Sequence, residues 1–287
     1  MGRLYLLGTG TPTPTRDRFG TSCVLELADD HIMIDCGPAT TCKLVKAGLW
    51  PTRIDYLFFT HHHFDHNADY PCFLLCRWDQ STSREDKLRV WGPQPTALIT
   101  RRLIGAEGAF ADDWKARMGA PVSQAVHRNR GGSLPRPEPD VEATDVGPGP
   151  VTAGSGWKAT AAEVHHVQPF LKSLAYRFDS PAGSIVFAGD TDSVEAVSEF
   201  AQGCEVLVVN CWDLQERMDA NGEAPGQTGT ADAARMAKGA AAQTLVLTHT
   251  GPALCKPEAR EKGVAEIKRI YNGRIVFAEE LMALELF

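Results

Sequence analysis

Apolar residues recur along this chain in two rhythms. Arg3–Leu7 opens with a short strand pattern, and a Gly/Thr/Pro loop from Gly8 to Gly20 follows. Thr21–Leu27 and His31–Asp35 flank the turn Ala28-Asp29-Asp30 and predict a hairpin. Pro38–Ala47 has helical spacing and stops at Gly48, which suits the residue after a helix end. Ile54–Thr60 is a short apolar run consistent with a buried strand, and it delivers the chain into His61. Asn67–Trp78 predicts a helix with Pro71 in its first turn. Leu88–Trp91 predicts a strand, and Ala97–Leu103 and Ala106–Met118 predict helices.

The stretch from Gly119 to Gly156 breaks the rhythm with six prolines among many glycines. It reads as a lid or as an ordered excursion over the surface. Beyond it, Trp157–His165, Ser173–Phe178, Ser184–Ala188, Glu205–Asn210, Thr244–Thr248 and Arg274–Ala278 predict strands. Val194–Gln202, Thr230–Ala240 and Pro257–Tyr271 predict helices. Hairpins mix with β-α-β crossovers in both halves and no repeat is visible. The expectation is α/β: one domain over 1–287, an αββα sandwich of two mixed sheets with helices outside and an excursion at about 119–156.

The 287 residues are 43% hydrophobic, which is ordinary for a globular chain. The net charge is −7, so a nucleic-acid partner would need a local basic stripe. The eight cysteines form no C-x-x-C pair, the start does not resemble a signal peptide, and no apolar run approaches a membrane span. Together these predict a cytoplasmic protein with reduced thiols and no membrane partner.

Thr60-His61-His62-His63-Phe64-Asp65-His66-Asn67 changes the picture. Four histidines and an aspartate crowd into six positions directly after a buried strand. Alternate residues of an extended chain point the same way, so His61 and His63 can grip one ion together. Asp65 and His66 lie past a bend and can grip a second. Imidazole and carboxylate suit zinc, and also iron or manganese. Further donors stand at strand ends: the pair His165-His166, Asp190 and His249. Taken singly each has an ordinary alternative; Asp190 could cap the helix that begins near Val194. His31 and His127 read as solvated.

The H-x-H-x-D-H motif, the Gly189-Asp190 pair after a strand and the late Thr248-His249 resemble the metallo-β-lactamase superfamily. Leu7-Gly8-Thr9-Gly10-Thr11-Pro12, Arg18-Phe19-Gly20-Thr21-Ser22 and Ile34-Asp35-Cys36-Gly37 are similar to the tRNase Z and arylsulfatase-like branch. The resemblance covers nearly the whole chain. It implies one divalent ion on His61, His63 and the third-motif histidine, a second on Asp65, His66 and His249, and Asp190 bridging both. For the third motif His166 is preferred over His165, from its spacing to Leu174-Ala175-Tyr176-Arg177 and because strand neighbours face opposite ways. His62, between two ligands, and Asp35 are expected to support the ligands without binding metal. Zinc is the expected ion, with manganese or iron as alternatives.

No activated serine or cysteine is visible, so water is the expected nucleophile, activated between two ions, with Asp65 and Asp190 as the carboxylates of the catalytic centre. Three readings compete. A small ester (phosphodiester, sulfate ester, lactone or related) is favoured by aromatic residues near the ligands, Phe64, Phe170 and Trp212, and by Trp114 before the excursion. A tRNA 3′-processing endonuclease is the first alternative. The branch carries its tRNA-gripping arm between the third histidine and the bridging aspartate, and here only 24 residues separate them. The branch also carries a His-Glu-Ala-Thr-like segment where this chain reads Val209-Asn210-Cys211-Trp212-Asp213. A non-hydrolytic di-iron redox protein is the second alternative. The expectation is therefore a dinuclear metal-dependent hydrolase of small esters, with nucleic acid disfavoured and a homodimer by analogy.

Overall fold

Val206–Asn210 is buried at every position, and its side chains divide between two cores. Leu207 and Val209 face one apolar cluster while Val206 and Val208 face another. A strand covered on both faces needs a layer on each side, which explains the continuous apolar run. The computed structural model describes residues 2–83 and 86–287. Among them are two mixed sheets of seven strands each, packed face to face with helices outside.

The first sheet is built from β1 (Gly2–Thr9), β2 (Thr21–Leu27), β3 (Asp30–Ile34), β4 (Tyr56–Phe58), β5 (Leu88–Gly92) and β6 (Val141–Asp145), in that order, with β14 (Met282–Glu285) beside β1. From β14 to β3 the pairing is antiparallel, and from β3 to β6 it is parallel. The second sheet runs β7 (Gly149–Gly154), β8 (Trp157–Val164), β9 (Ser173–Ser180), β10 (Gly183–Phe187), β11 (Val206–Asn210), β12 (Thr244–Thr248) and β13 (Arg274–Phe277). Here β7 to β10 are antiparallel and β10 to β13 parallel.

The inner core is aromatic. Phe58 meets Phe178 edge-on at 5.0 Å, and Tyr56 meets Trp157 edge-on at 5.0 Å. Outside the first sheet lie α1 (Thr40–Lys46), α3 (Tyr70–Gln80) and α4 (Thr96–Ile104), which bury Leu44, Phe73, Leu74 and Ile104 against it. Outside the second lie α7 (Val194–Phe200), α9 (Thr230–Gly239) and α10 (Pro257–Ile270), which bury Val197, Met236 and Ile267. The short α2 (Phe64–Asn67) and α8 (Gln215–Asn221) border the edge described below, and α5 (Ala111–Gly119) and α6 (Pro121–Asn129) follow α4.

Strand direction places the chemistry. β3 and β4 are parallel, and so are β10, β11 and β12; β8 shares their sense because two antiparallel steps separate it from β10. In each sheet, therefore, the strands that lead into donor residues run in one sense and open their C-terminal ends at one edge. Crevices at such ends are where sheets of this kind bind ligands.

Several expectations need correction. The proline-rich stretch 119–156, expected to lack elements of its own, contains α6 and supplies β6 and β7, an edge strand of each sheet. Proline is tolerated at such edges because one side of the strand has no ladder to complete. The helix expected from Ala106 begins at Ala111, and the one expected from Asn67 is split into α2 and α3. Both α8 and β14 went unforeseen. His31 and His127 are buried rather than solvated. All eight cysteines are unpaired, and among the described residues no helix is long and apolar enough to cross a membrane.

Asp55, just before β4, is half-buried, and burial, partly offset by Arg77, pushes its carboxyl up to about 6. The folded state thus holds this proton more tightly than the unfolded chain, so stability falls as pH rises from about 4 to about 6. Asp55→Asn is expected to be more stable than the parent at pH 7.5, by on the order of 1 kcal/mol after solvent screening, with the difference shrinking towards pH 4. Urea midpoints at the two pH values check this; a pH-independent difference would contradict it.

Candidate metal centre

β4 ends two residues before Thr60-His61, and the chain turns at His63 into α2. That turn carries Asp65 and His66 back under the strand end, and both are buried along with His61. The exit of β3 is strapped to α2: Cys36 N donates to His66 O at 2.7 Å and Asp69 N to Cys36 O at 3.1 Å. The fit is tight at Gly37, where an added Cβ would lie 2.0 Å from Asp65 O. Asp35, on this strap, and His249, after β12, have left-handed backbones with φ of 59° and 50°. Non-glycine residues held so are strained, and such strain gathers at functional sites.

The residues singled out in the sequence come together in two groups. His61, His63, His166 and Asp190 form one, and Asp65, His66 and His249 form the other; donor atoms within each group lie within 4.8 Å of one another. His61 Nε2 is 3.1 Å from His63 Nδ1, which is 3.2 Å from His166 Nε2. Imidazole nitrogens sharing one tetrahedral ion sit about 3.3 Å apart, given the usual metal–nitrogen distance. In the second group Asp65 Oδ2 is 3.0 Å from His249 Nε2 and 3.7 Å from His66 Nε2. Asp190 Oδ2 stands between them: 3.9 Å from His61, 3.8 Å from His166, 3.6 Å from His66 and 3.5 Å from His249. His166 faces this centre, whereas exposed His165 turns outward and pairs with Asp192 at 2.8 Å.

Hydrogen bonds aim the rings. Asp35 accepts from Thr60 N and Thr60 Oγ1, both at 2.8 Å, and from His66 Nδ1 at 2.7 Å. Thr60 Oγ1 spends its proton on Asp35, so it accepts from His61 Nδ1 at 3.1 Å. His166 Nδ1 donates to Gly226 O at 2.6 Å. These partners leave Nε2 of His61, His66 and His166 free to face the centre. Asn210 closes β11 and donates to Asp190 Oδ1, leaving Oδ2 for the two groups.

The electrostatics call for a cation. Burial and the neighbouring His66 hold the His61 imidazole well below its usual range. Burial opposes charge on His66 too, but Asp190 and Asp35 overcome it and raise that imidazole well above its usual range. For Asp190 burial is likewise outweighed, here by His249 and His66, and the carboxyl is held well below the usual range. Three carboxylates, Asp35, Asp65 and Asp190, are buried together. Buried Asp65 Oδ1 and His66 Nε2 have no hydrogen-bond partner. Orphaned donor atoms beside buried negative charge fit divalent ions.

His62 turns away from the centre, its Nε2 2.7 Å from Thr96 Oγ1. Trp114 is not a pocket residue: it is buried against Trp78 and donates to Ile104 O at 3.1 Å. Phe64 and Phe170 are exposed and form no apolar wall. Trp212 is half-buried beside the loop 222–229, its Nε1 3.3 Å from Glu223 Oε2. Sequence reasoning missed Thr60, Asn210 and Gly226 as supports. Asn210 gave a faint signal, a polar residue ending a fully apolar strand; Gly226 gave none beyond a glycine-rich loop.

An αββα sandwich with five histidines and two aspartates at one edge defines a metal-dependent hydrolase of the metallo-β-lactamase type. The chain belongs to the beta-lactamase superfamily, whose domain model matches residues 30–250. Among its relatives is a Ribonuclease Z of Mycobacterium bovis, 27% identical over 296 residues, covering 100% of this chain and 99% of the relative. A Ribonuclease Z of Mycobacterium avium is 27% identical over 297 residues, again 100% of this chain and 99% of the relative. Solved structures of similar fold include a metallo-beta-lactamase fold protein from Bacillus subtilis, with TM-score 0.71, 19% identity and 99% and 98% of the two chains covered. Human tRNase Z, short form, follows with TM-score 0.69, 19% identity and 99% of each chain covered.

The relatives' names correct the expectation that disfavoured a nucleic-acid partner. That expectation rested on whole-chain charge, on the interval 166–190 and on Val209-Asn210-Cys211-Trp212-Asp213 standing where the branch carries a His-Glu-Ala-Thr-like segment. Whole-chain charge carries no information about a local RNA path, and the likeness to proteins named Ribonuclease Z runs the full length of the chain.

Asp190→Ala is expected to lower bound divalent metal from two ions per chain to one or none, while His62→Ala keeps both. Elemental analysis after dialysis decides; equal metal content in the two variants would contradict the bridging role. Gly226→Ala should weaken metal binding by about 10- to 100-fold, as loss of a ligand's supporting partner does. An added Cβ there would lie 2.1 Å from His166 O, so the loop must move off the ring it holds. Competition with a chelator measures this, and unchanged affinity would contradict it.

Proposed function

We propose that this chain is a ribonuclease of the Ribonuclease Z kind, hydrolysing a phosphodiester bond at the 3′ side of a precursor tRNA with two divalent ions. The observation that carries the reading is the 27% identity to proteins of that name across 100% of this chain. The donor set supports it, since a phosphodiester in hydrolysis needs charge neutralised on both its attacking and its leaving oxygen. When bound, the ions supply Lewis acidity and a water nucleophile at neutral pH; imidazole and carboxylate donors favour zinc, with manganese next.

In this reading His61, His63 and His166 hold one ion, and Asp65, His66 and His249 hold the other. Asp190 would serve both ions, while Asn210 keeps its Oδ1 occupied. Asp35 fixes His66 and, through Thr60, His61. The interval 166–190 is filled by β9, a turn and β10, so the RNA is gripped by surfaces other than an arm inserted there. This chain reads Val209-Asn210-Cys211-Trp212-Asp213 where the branch carries a His-Glu-Ala-Thr-like segment, so proton delivery to the leaving oxygen falls to water or to another group.

The test pairs two substrates on zinc-loaded protein: a precursor tRNA with a 3′ trailer, and bis(p-nitrophenyl) phosphate. Endonucleolytic release of the trailer, lost in Asp190→Ala, is the expected result. Turnover of the small diester with no cleavage of the tRNA would overturn the reading.

A further inference from the structure

Phe64 and Phe170 are 55% and 92% exposed, and neither belongs to a core cluster. Other aromatic rings near the donor strands, Phe58, Phe59 and Tyr176, are fully buried. A single exposed apolar ring is ordinary, so what sets Phe64 and Phe170 apart is where they stand. Both stand on metal-binding loops. Phe64 directly follows His63, and Phe170 comes four residues after His166. Those two histidines meet at 3.2 Å, so the loops bearing the phenylalanines converge on the same ion-binding group.

The loop that presents Phe170 is held in place. His166 N donates to Gln168 Oε1 at 2.6 Å, and Gln168 Nε2 donates to Val164 O at 2.6 Å. Phe170 N closes a turn onto Val167 O at 3.1 Å. The ring is therefore carried outward on a braced turn, which limits the entropy lost when something binds it. Lys172, two residues on, is exposed as well. An aromatic face with a neighbouring cation is the pairing that proteins use for single-stranded nucleic acid: rings stack on bases, and the cation meets the phosphate.

We infer that Phe64 and Phe170 form a stacking platform for the unpaired nucleotides flanking the scissile phosphodiester, with Lys172 as a phosphate contact. The inference rests on the ribonuclease reading and adds to it how RNA is seated without an arm. Stacking is tolerant of base identity, so the platform positions any 3′ trailer without selecting its sequence.

The test uses an RNA hairpin with a 3′ extension. The first unpaired nucleotide is 2-aminopurine, and a methylphosphonate at the junction blocks cleavage. Zinc-loaded protein is expected to quench the 2-aminopurine on binding. The double variant Phe64→Ala/Phe170→Ala is expected to bind about 10- to 100-fold more weakly and to lose the quench, with zinc content unchanged. Phe64→Trp/Phe170→Trp should restore both, and an abasic nucleotide in place of 2-aminopurine should erase the difference between parent and alanine variant. Unchanged affinity and quench in the alanine variant would overturn the platform and leave the ribonuclease reading standing. Failure of the zinc-loaded parent to bind the hairpin would overturn both. If the parent is dimeric and the alanine variant monomeric in sedimentation, with RNA binding retained, the rings belong to an interface between copies, and the platform is again overturned.

Discussion

One buried oxygen organises this protein. Asp190 Oδ2 lies 3.5–3.9 Å from four imidazole nitrogens drawn from two donor groups, on a buried side chain. A carboxylate in such a place is costly unless positive charge compensates it. Asp35 and Asp65, also buried, sharpen the demand. Much of the surrounding structure answers it: the strap from β3 to α2, the left-handed turns at Asp35 and His249, and the glycines that let backbone approach backbone. Each of these would be a defect in a fold built for stability alone, and each makes sense once divalent ions are counted as part of the folded molecule.

The two sheets make that arrangement possible. Strands running in one sense bring the chain to one edge, and each delivers its donor on a short turn. The second ring of hydrogen bonds then sets which nitrogen faces inward. Thr60 links His61 and His66 through Asp35, so one hydroxyl couples both donor groups. Gly226 reaches His166 from a loop 60 residues away in sequence, which ties the α8–α9 connection to the centre.

Much of this was legible in the sequence, for physical reasons. His61, His63, Asp65 and His66 sit in one short motif after an apolar strand, and the remote donors also follow strands, so periodicity located them. The strands of the second half read well because double burial writes continuous apolar runs. What failed was governed by tertiary context. β7 was hidden by Pro150, which an edge strand tolerates, β6 by the prolines that precede it, and β14 by its brevity and half-exposed alternation. Trp114 was taken for a pocket residue because its distance from the centre is not encoded in its neighbours. Asn210 and Gly226 contribute through single long-range contacts that leave no periodic trace. Nucleic acid was disfavoured because charge, one interval and one missing segment were set against a likeness that spans the whole sequence.

A paired-ion site bridged by Asp190 would be visible in anomalous diffraction from crystals of zinc-loaded protein. Data on either side of the zinc absorption edge should show two anomalous peaks. One should contact His61, His63 and His166, the other Asp65, His66 and His249, with Asp190 touching both. A single peak, or two peaks of which Asp190 touches only one, would contradict the account.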